Sequence, residues 1–314
     1  MLSVWRAATL TLAILIATSA HATEPAPEDT PAAPSSEPAP DPAESENSII
    51  VTGKVAPPTR DEVYQQALDV SRVDTGRLYE EALARITTPI CPAVQGLKPE
   101  LADEIIERIR ANAARLNLRL GRARCSTNIL VTFVDNGQEL LSDLAENHPR
   151  MFNLVEKSEQ TELLAAEAPV RVWNVVETKW RNGAPLSYWR GKPQRPSVRG
   201  STDLLLPTRN DINFALVVFD REAVVGMTAT QLADYATMRG LSHTRPTNGD
   251  QPMATILALF EEDVGDGPAE LTPFDIGYLR SVYFWRPDMP VPGVGRLQGV
   301  RGRERRAREE LSEP

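Results

Sequence analysis

The stretch "ADYATMRGLSH", residues 233–243, puts a carboxylate, Asp234, and an imidazole, His243, within ten positions of each other. A carboxyl and an imidazole within hydrogen-bond reach of a reacting group are the usual means of general acid–base catalysis. Histidine is scarce in this chain: the other two are His21, close to the N-terminus, and His148, next to Pro149 in a loop-like stretch. A second concentration lies in "WRNGAPLSYWRGKPQRPSVRG", residues 180–200, where Trp180, Tyr188 and Trp189 alternate with bases, including Arg190, and no acid occurs. Such a segment predicts an exposed loop, and exposed aromatics beside arginines are what binding surfaces use. In the competing reading Trp180 and Trp189 simply cover a sheet.

The first stretch has a clear helical frame. Thr228 and Gln231 have capping-box spacing. Leu232, Tyr235, Ala236 and Arg239 share one helical face, and Gly240 stands where a left-handed residue would stop the helix. Zinc proteases of the metzincin type carry H-E-x-x-H-x-x-G-x-x-H, in which two histidines one turn apart and a third beyond the glycine share one metal. Laid on this chain through Gly240, the histidine positions are Ala233, Thr237 and His243, and the glutamate position is Asp234. "INFALVVFD" before the helix, and "TILALF" and "LTPFDIGYLRSVY" after it, extend the likeness, so the chain resembles a degenerate zincin domain. With "ICPAVQGL" and "NILVTFVD", these segments also resemble a family of secreted proteins of sphingomonad-like alphaproteobacteria, a resemblance that implies no particular activity. It implies a zincin-like α+β domain and a cleft near the helix, with Arg239 and the 180–200 loop at its surface. Catalytic zinc needs three protein ligands. Ala233 has no donor atom, so no metal and no cofactor is expected, and the helix reads as a pseudoenzyme's. Catalysis by Asp234 with His243, free of metal, is the competing reading. "VDTG", residues 73–76, resembles the D-T-G of aspartic proteases, but that chemistry needs two such loops sharing a proton and only one is present.

The elements that must position these residues follow from periodicity. Residues 60–86 read as helix with a break near Gly76, and residues 98–118 as an amphipathic helix with Ile105, Ile109, Ala113 and Leu116 on one face. "NILVTFV" (128–134) reads as a buried strand, 137–146 as a helix and 170–178 as an alternating strand. "STDLLLP" (201–207) and 212–220 read as a hairpin or neighbouring strands. Helices at 228–239 and 272–283, the latter capped by Thr272 with Pro273 in its first turn, complete the domain. The expected class is α+β, a single domain over 48–291 whose mixed or largely antiparallel sheet packs on helices.

Outside that domain the chain is biased. Arg6, the apolar run "AATLTLAILIA" and the small-residue site Ala20-His21-Ala22 form the layout of a cleaved signal peptide over 1–22. Residues 23–47 are a Pro/Ala/Ser spacer with seven acids and no base, a composition that predicts disorder and carries most of the net charge of −9. Cys91 and Cys125 are the only cysteines, and in an exported chain they predict a disulfide. The expected location is the periplasm or outside the cell. Residues 292–314 hold arginines interleaved with glutamates and read as a solvated, disordered or helical tail. A nucleic-acid binder would show a basic face instead, and no later stretch reaches membrane-spanning length. "SIIVTGK", Ser48–Lys54, is similar to the "IVVTG" segment of TonB-dependent receptors, and could add as a strand to an envelope partner; the alternative is a first strand of the domain or an inert linker end.

Overall fold

A computed structural model of the protein describes residues 57–73, 81–152, 155, 157–165, 168–189, 192–193, 205–247, 249, 251–261, 267–289, 297 and 299–312. The expected signal peptide, the spacer, Ser48–Lys54 and the D-T-G at 74–76 lie outside them.

Alternation of side chains across one strand organises the interior. In β6 (Thr208–Asp220), Ala215, Val217 and Phe219 face one hydrophobic cluster, while Leu216 and Val218 face another. A strand buried on both faces must be central. β6 pairs in parallel with β2 (Ile129–Val134) and antiparallel with β3 (Val170–Trp180), and β2 pairs in parallel with β1 (Pro92–Gln95). The sheet is therefore mixed, in the order β1-β2-β6-β3. A small separate hairpin joins β4 (Tyr188–Trp189) to β5 (Lys192–Pro193).

The first face of the sheet carries α2 (Pro99–Arg115) and α6 (Ala229–Leu241). In α2, Ile105, Ile109 and Ala113 recur at intervals of four and are buried, as their spacing demands. The second face carries α3 (Gly137–Asn147), α4 (Pro149–Phe152) and α5 (Lys157–Leu163), whose Leu141, Phe152 and Leu163 pack on Trp173, Leu216 and Val218. Burying a side chain of this size contributes about 1.5–3 kcal/mol. Cys91 and Cys125 are disulfide-bonded, closing the segment that contains β1 and α2.

Four expectations are corrected. Of the helix expected over 60–86, the described residues hold α1 (Arg60–Asp69) alone; Ser71 instead bridges Thr244 and Arg85 bridges Asp211 and Ser242. Helical spacing continues past Asp69, but those backbone groups bond to the chain after α6 and to β6. At the described end of the strand expected over 201–207, Leu205 forms a bridge that Leu206 and Pro207 do not extend; Leu206 N–H donates to the Asp288 carbonyl. Gly240 does not stop α6: it lies within the helix, which ends at Leu241 with an extended Ser242 as its cap. A Cβ at Gly240 would stand 3.2 Å from Ile129 Cγ2, so glycine serves there for close helix–sheet approach. Finally, the arginine-rich tail is part of the domain. α8 (Val300–Ser312) lies against α7 (Pro273–Phe284) so closely that a Cβ at Gly277 would come within 2.6 Å of Glu304 N. Its buried positions include only Val300 and Ala307 as apolar residues, and ion pairs such as Arg280–Glu310 complete the seam; few apolar residues made it look solvated.

Candidate functional site

Helix α6 presents the candidate residues to three different neighbours. Its start is fixed as the spacing implied: Thr228 accepts from Gln231 N, and the Gln231 side chain accepts from Thr228 N. One side faces α2. There the Asp234 carboxylate is fully buried and accepts from Arg108 Nε at 2.8 Å, Arg108 Nη2 at 2.7 Å, Asn112 Nδ2 at 2.6 Å and Leu271 N at 2.7 Å. Asn112 also donates to Thr237 Oγ1, and that hydroxyl donates to the Ala233 carbonyl one turn back. These groups tie α2, α6 and the approach to α7 together.

His243, beyond the helix end, points elsewhere. Its Nε2 lies 3.0 Å from Glu159 Oε1 on α5. Burial pushes the Glu159 carboxyl up, but the His243 hydrogen bond and the charges of His243, Arg72 and Arg239 together hold it below its ordinary value. Asp234 and His243 thus have no hydrogen-bond partner in common. Ala233 and Thr237 are fully buried, with Thr237 bonded toward α2, so the positions laid on the zincin motif do not converge on His243. Among the described residues no three His, Cys, Asp or Glu side chains gather as a metal site.

The third side of α6 opens into a cleft of about 480 Å³ at the β3 edge of the sheet, bounded by the end of α5, the start of β3, α6 and the chain from Arg245 to Glu261. Arg239, expected at a binding surface, lines it. Its guanidinium is 4% exposed, donates from Nη1 to Tyr235 Oη at 3.2 Å and lies 5.8 Å from the Tyr235 ring centre. No carboxylate bonds it, and its Nε is buried without a partner. Burial pushes the Arg239 pKa down, against the opposing pull of Tyr235, Glu159 and Glu162. α6 is held in place here by β3, where Asn174 Nδ2 donates to the Arg239 carbonyl.

Around Arg239 the lining combines cations with apolar surface. Arg245 donates from Nε and Nη2 to a single carbonyl, that of Ser71. Arg72 pairs with Glu162, and Arg171 with Asp220 at 3.1 Å. The floor is aromatic: Tyr235 meets Phe260 edge-on at 5.0 Å, and both contact Phe219. Glu261 on the wall accepts from the Thr247 hydroxyl.

Comparison with protein-family models, with curated proteins and with solved structures gave no match.

Trp180, another expected binding residue, stands apart from this cleft. Trp180 ends β3, and the chain turns back at once: Gly183 N donates to the Trp180 carbonyl and Trp180 N to that of Ala184. Tyr188 and Trp189 form β4, so part of the expected loop is hairpin; Arg190 lies outside the described residues. Sequence reading missed Arg72, Arg171, Arg245 and Phe260, which come from four separate segments and share no periodicity. One signal was available: Arg239 on the face with Leu232, Tyr235 and Ala236 is a cation aligned with a core stripe, and such a group needs a partner.

Proposed function

We propose that this chain is an exported, non-catalytic binding protein that takes a small anionic molecule in the arginine-lined cleft. The observation that carries the reading is Arg239, a buried guanidinium with one neutral acceptor and an unpartnered Nε. Burying a charge is costly without a paired, hydrogen-bonded counter-charge. An anion bound in the cleft would supply that partner, and the site's volume falls in the range of small-molecule sites. The signal-peptide layout and the Cys91–Cys125 disulfide support export. This reading is preferred to a hydrolase at Asp234 and His243 because all the Asp234 interactions are with protein donors, and His243 is engaged by Glu159. The zincin resemblance carries no weight in it.

Thermal unfolding of the purified chain with millimolar acetate, benzoate, phenyl phosphate, inorganic phosphate or sulfate tests the proposal. At least one anion is expected to raise the melting temperature, and Arg239→Met to abolish the rise. No rise with any of them, or a rise unchanged in the variant, would overturn it.

A further inference from the structure

The cleft has two unlike halves, and their arrangement narrows the ligand. One half offers Arg239 and Arg245, neither bonded to a carboxylate among the described residues. Guanidinium groups match the planar, two-oxygen geometry of a carboxylate. The other half offers Leu257, Val172 and the rings of Tyr235 and Phe260. Tyr235 and Leu257 belong to the buried core, while Phe260 is half-buried. Inorganic anions would leave the half-buried Phe260 in contact with water.

The acids limit the charge. Glu162 and Glu261 line the cleft, and Glu159 stands 4.0 Å from Arg72. A second negative charge on the ligand would meet these carboxylates in a partly desolvated site, where like charges repel more strongly than in water. A phosphate ester carries close to two charges at neutral pH; a carboxylate carries one. Resting on the reading of the cleft as an anion site, we propose that its ligand is a monocarboxylate carried on a flat apolar body, with the carboxylate on Arg239 and Arg245 and the body against Phe260.

Calorimetric titration of the purified chain with 3-phenylpropanoate, 3-phenylpropanol, phenyl phosphate and acetate decides it. The phenyl carboxylate is expected to bind about 10- to 100-fold more tightly than the alcohol, the range set by one charge-assisted hydrogen-bonded contact, and also more tightly than acetate, which lacks the body, and phenyl phosphate, which carries the second charge. Arg239→Lys keeps the charge but loses the fork, and should weaken it by about tenfold. Phe260→Ala should weaken the phenyl carboxylate more than it weakens acetate. Equal or tighter binding of phenyl phosphate overturns the monocarboxylate class while leaving the anion site standing. Equal binding of the alcohol, or no binding by any of the four, overturns both. The comparison among ligands on the unaltered chain is decisive whether or not the variants fold.

Discussion

Asp234 and Arg239 lie five positions apart on one helix, both buried, and their surroundings are opposite. Asp234 accepts four hydrogen bonds, two of them from a guanidinium. Arg239 has one neutral oxygen and a ring face. A saturated charge holds elements together and has nothing left for a ligand. An unsaturated one is a cost to the fold that binding can offset. The difference separates a structural charge from a functional one more sharply than residue type does, since Asp234 was the better catalytic candidate by type alone.

The largest effect should come from Asp234→Ala. It would leave Arg108, Asn112 and Leu271 N without their acceptor and should destabilise the fold by about 3–4 kcal/mol, less than a fully buried pair because Arg108 can partly hydrate. Urea denaturation measures it; a loss under 1 kcal/mol would mean the network is incidental. Removal of the disulfide sharpens the same contrast, because the bond encloses α2, the helix that supplies Arg108 and Asn112. Cys91→Ser with Cys125→Ser should cost about 3–4 kcal/mol in the chain-entropy picture, with anion binding retained once the protein is folded. Binding lost from the folded double variant would show that the two sides of α6 are coupled.

Asp275 tests what saturation by neutral donors alone achieves. It accepts from Thr255 Oγ1, Ile256 N, Thr272 N and Thr272 Oγ1, with no cation among them. Burial raises its pKa from 3.8 to about 6, although all four hydrogen bonds pull it down. A carboxyl held above its unfolded value stabilises the fold while protonated, fully so below the unfolded pKa, and that contribution is lost as pH rises through about 6. From this group stability should fall by about 3 kcal/mol between pH 3 and 7. Asp275→Asn should flatten the decline; an unchanged profile would place the titration elsewhere.

The smallest change in stability is expected at Arg239. Arg239→Met removes a buried, under-bonded charge and keeps the stem's volume, so without ligand it should shift stability by less than about 1 kcal/mol, or raise it. A loss comparable to that of Asp234→Ala would erase the contrast between the two residues.

Much of the architecture was legible beforehand, for local reasons. The apolar spacing of Ile105, Ile109 and Ala113 marked α2, the box at Thr228–Gln231 marked the start of α6, and the cap Thr272 with Pro273 marked that of α7. Strands expected at 128–134, 170–178 and 212–220 showed in their β-branched and aromatic content, and the structure extends the last two to Trp180 and back to Thr208. Parallel pairing of β1, β2 and β6 was not legible, because register between distant strands has no local signature. Gly240 was misread for a related reason: a glycine near a helix end fits both a left-handed stop and a close approach, and only Ile129 across the gap distinguishes them. At the site, Arg239 and a cleft beside its helix were expected from sequence; the cleft's lining was not, since Arg72, Arg171 and Arg245 meet it from unrelated segments.

The seam between α7 and α8 bears on the order in which the protein can be completed. α8 is the last described helix, yet it packs against α7 and also reaches α1, the first described helix. With backbone-to-backbone approach at Gly277 and Glu304, α8 covers surface that earlier segments cannot cover for themselves. A chain still being synthesised therefore lacks a wall of its own core until α8 emerges, and it must tolerate that exposed surface until then. A stop codon just before α8 would make that transient state permanent.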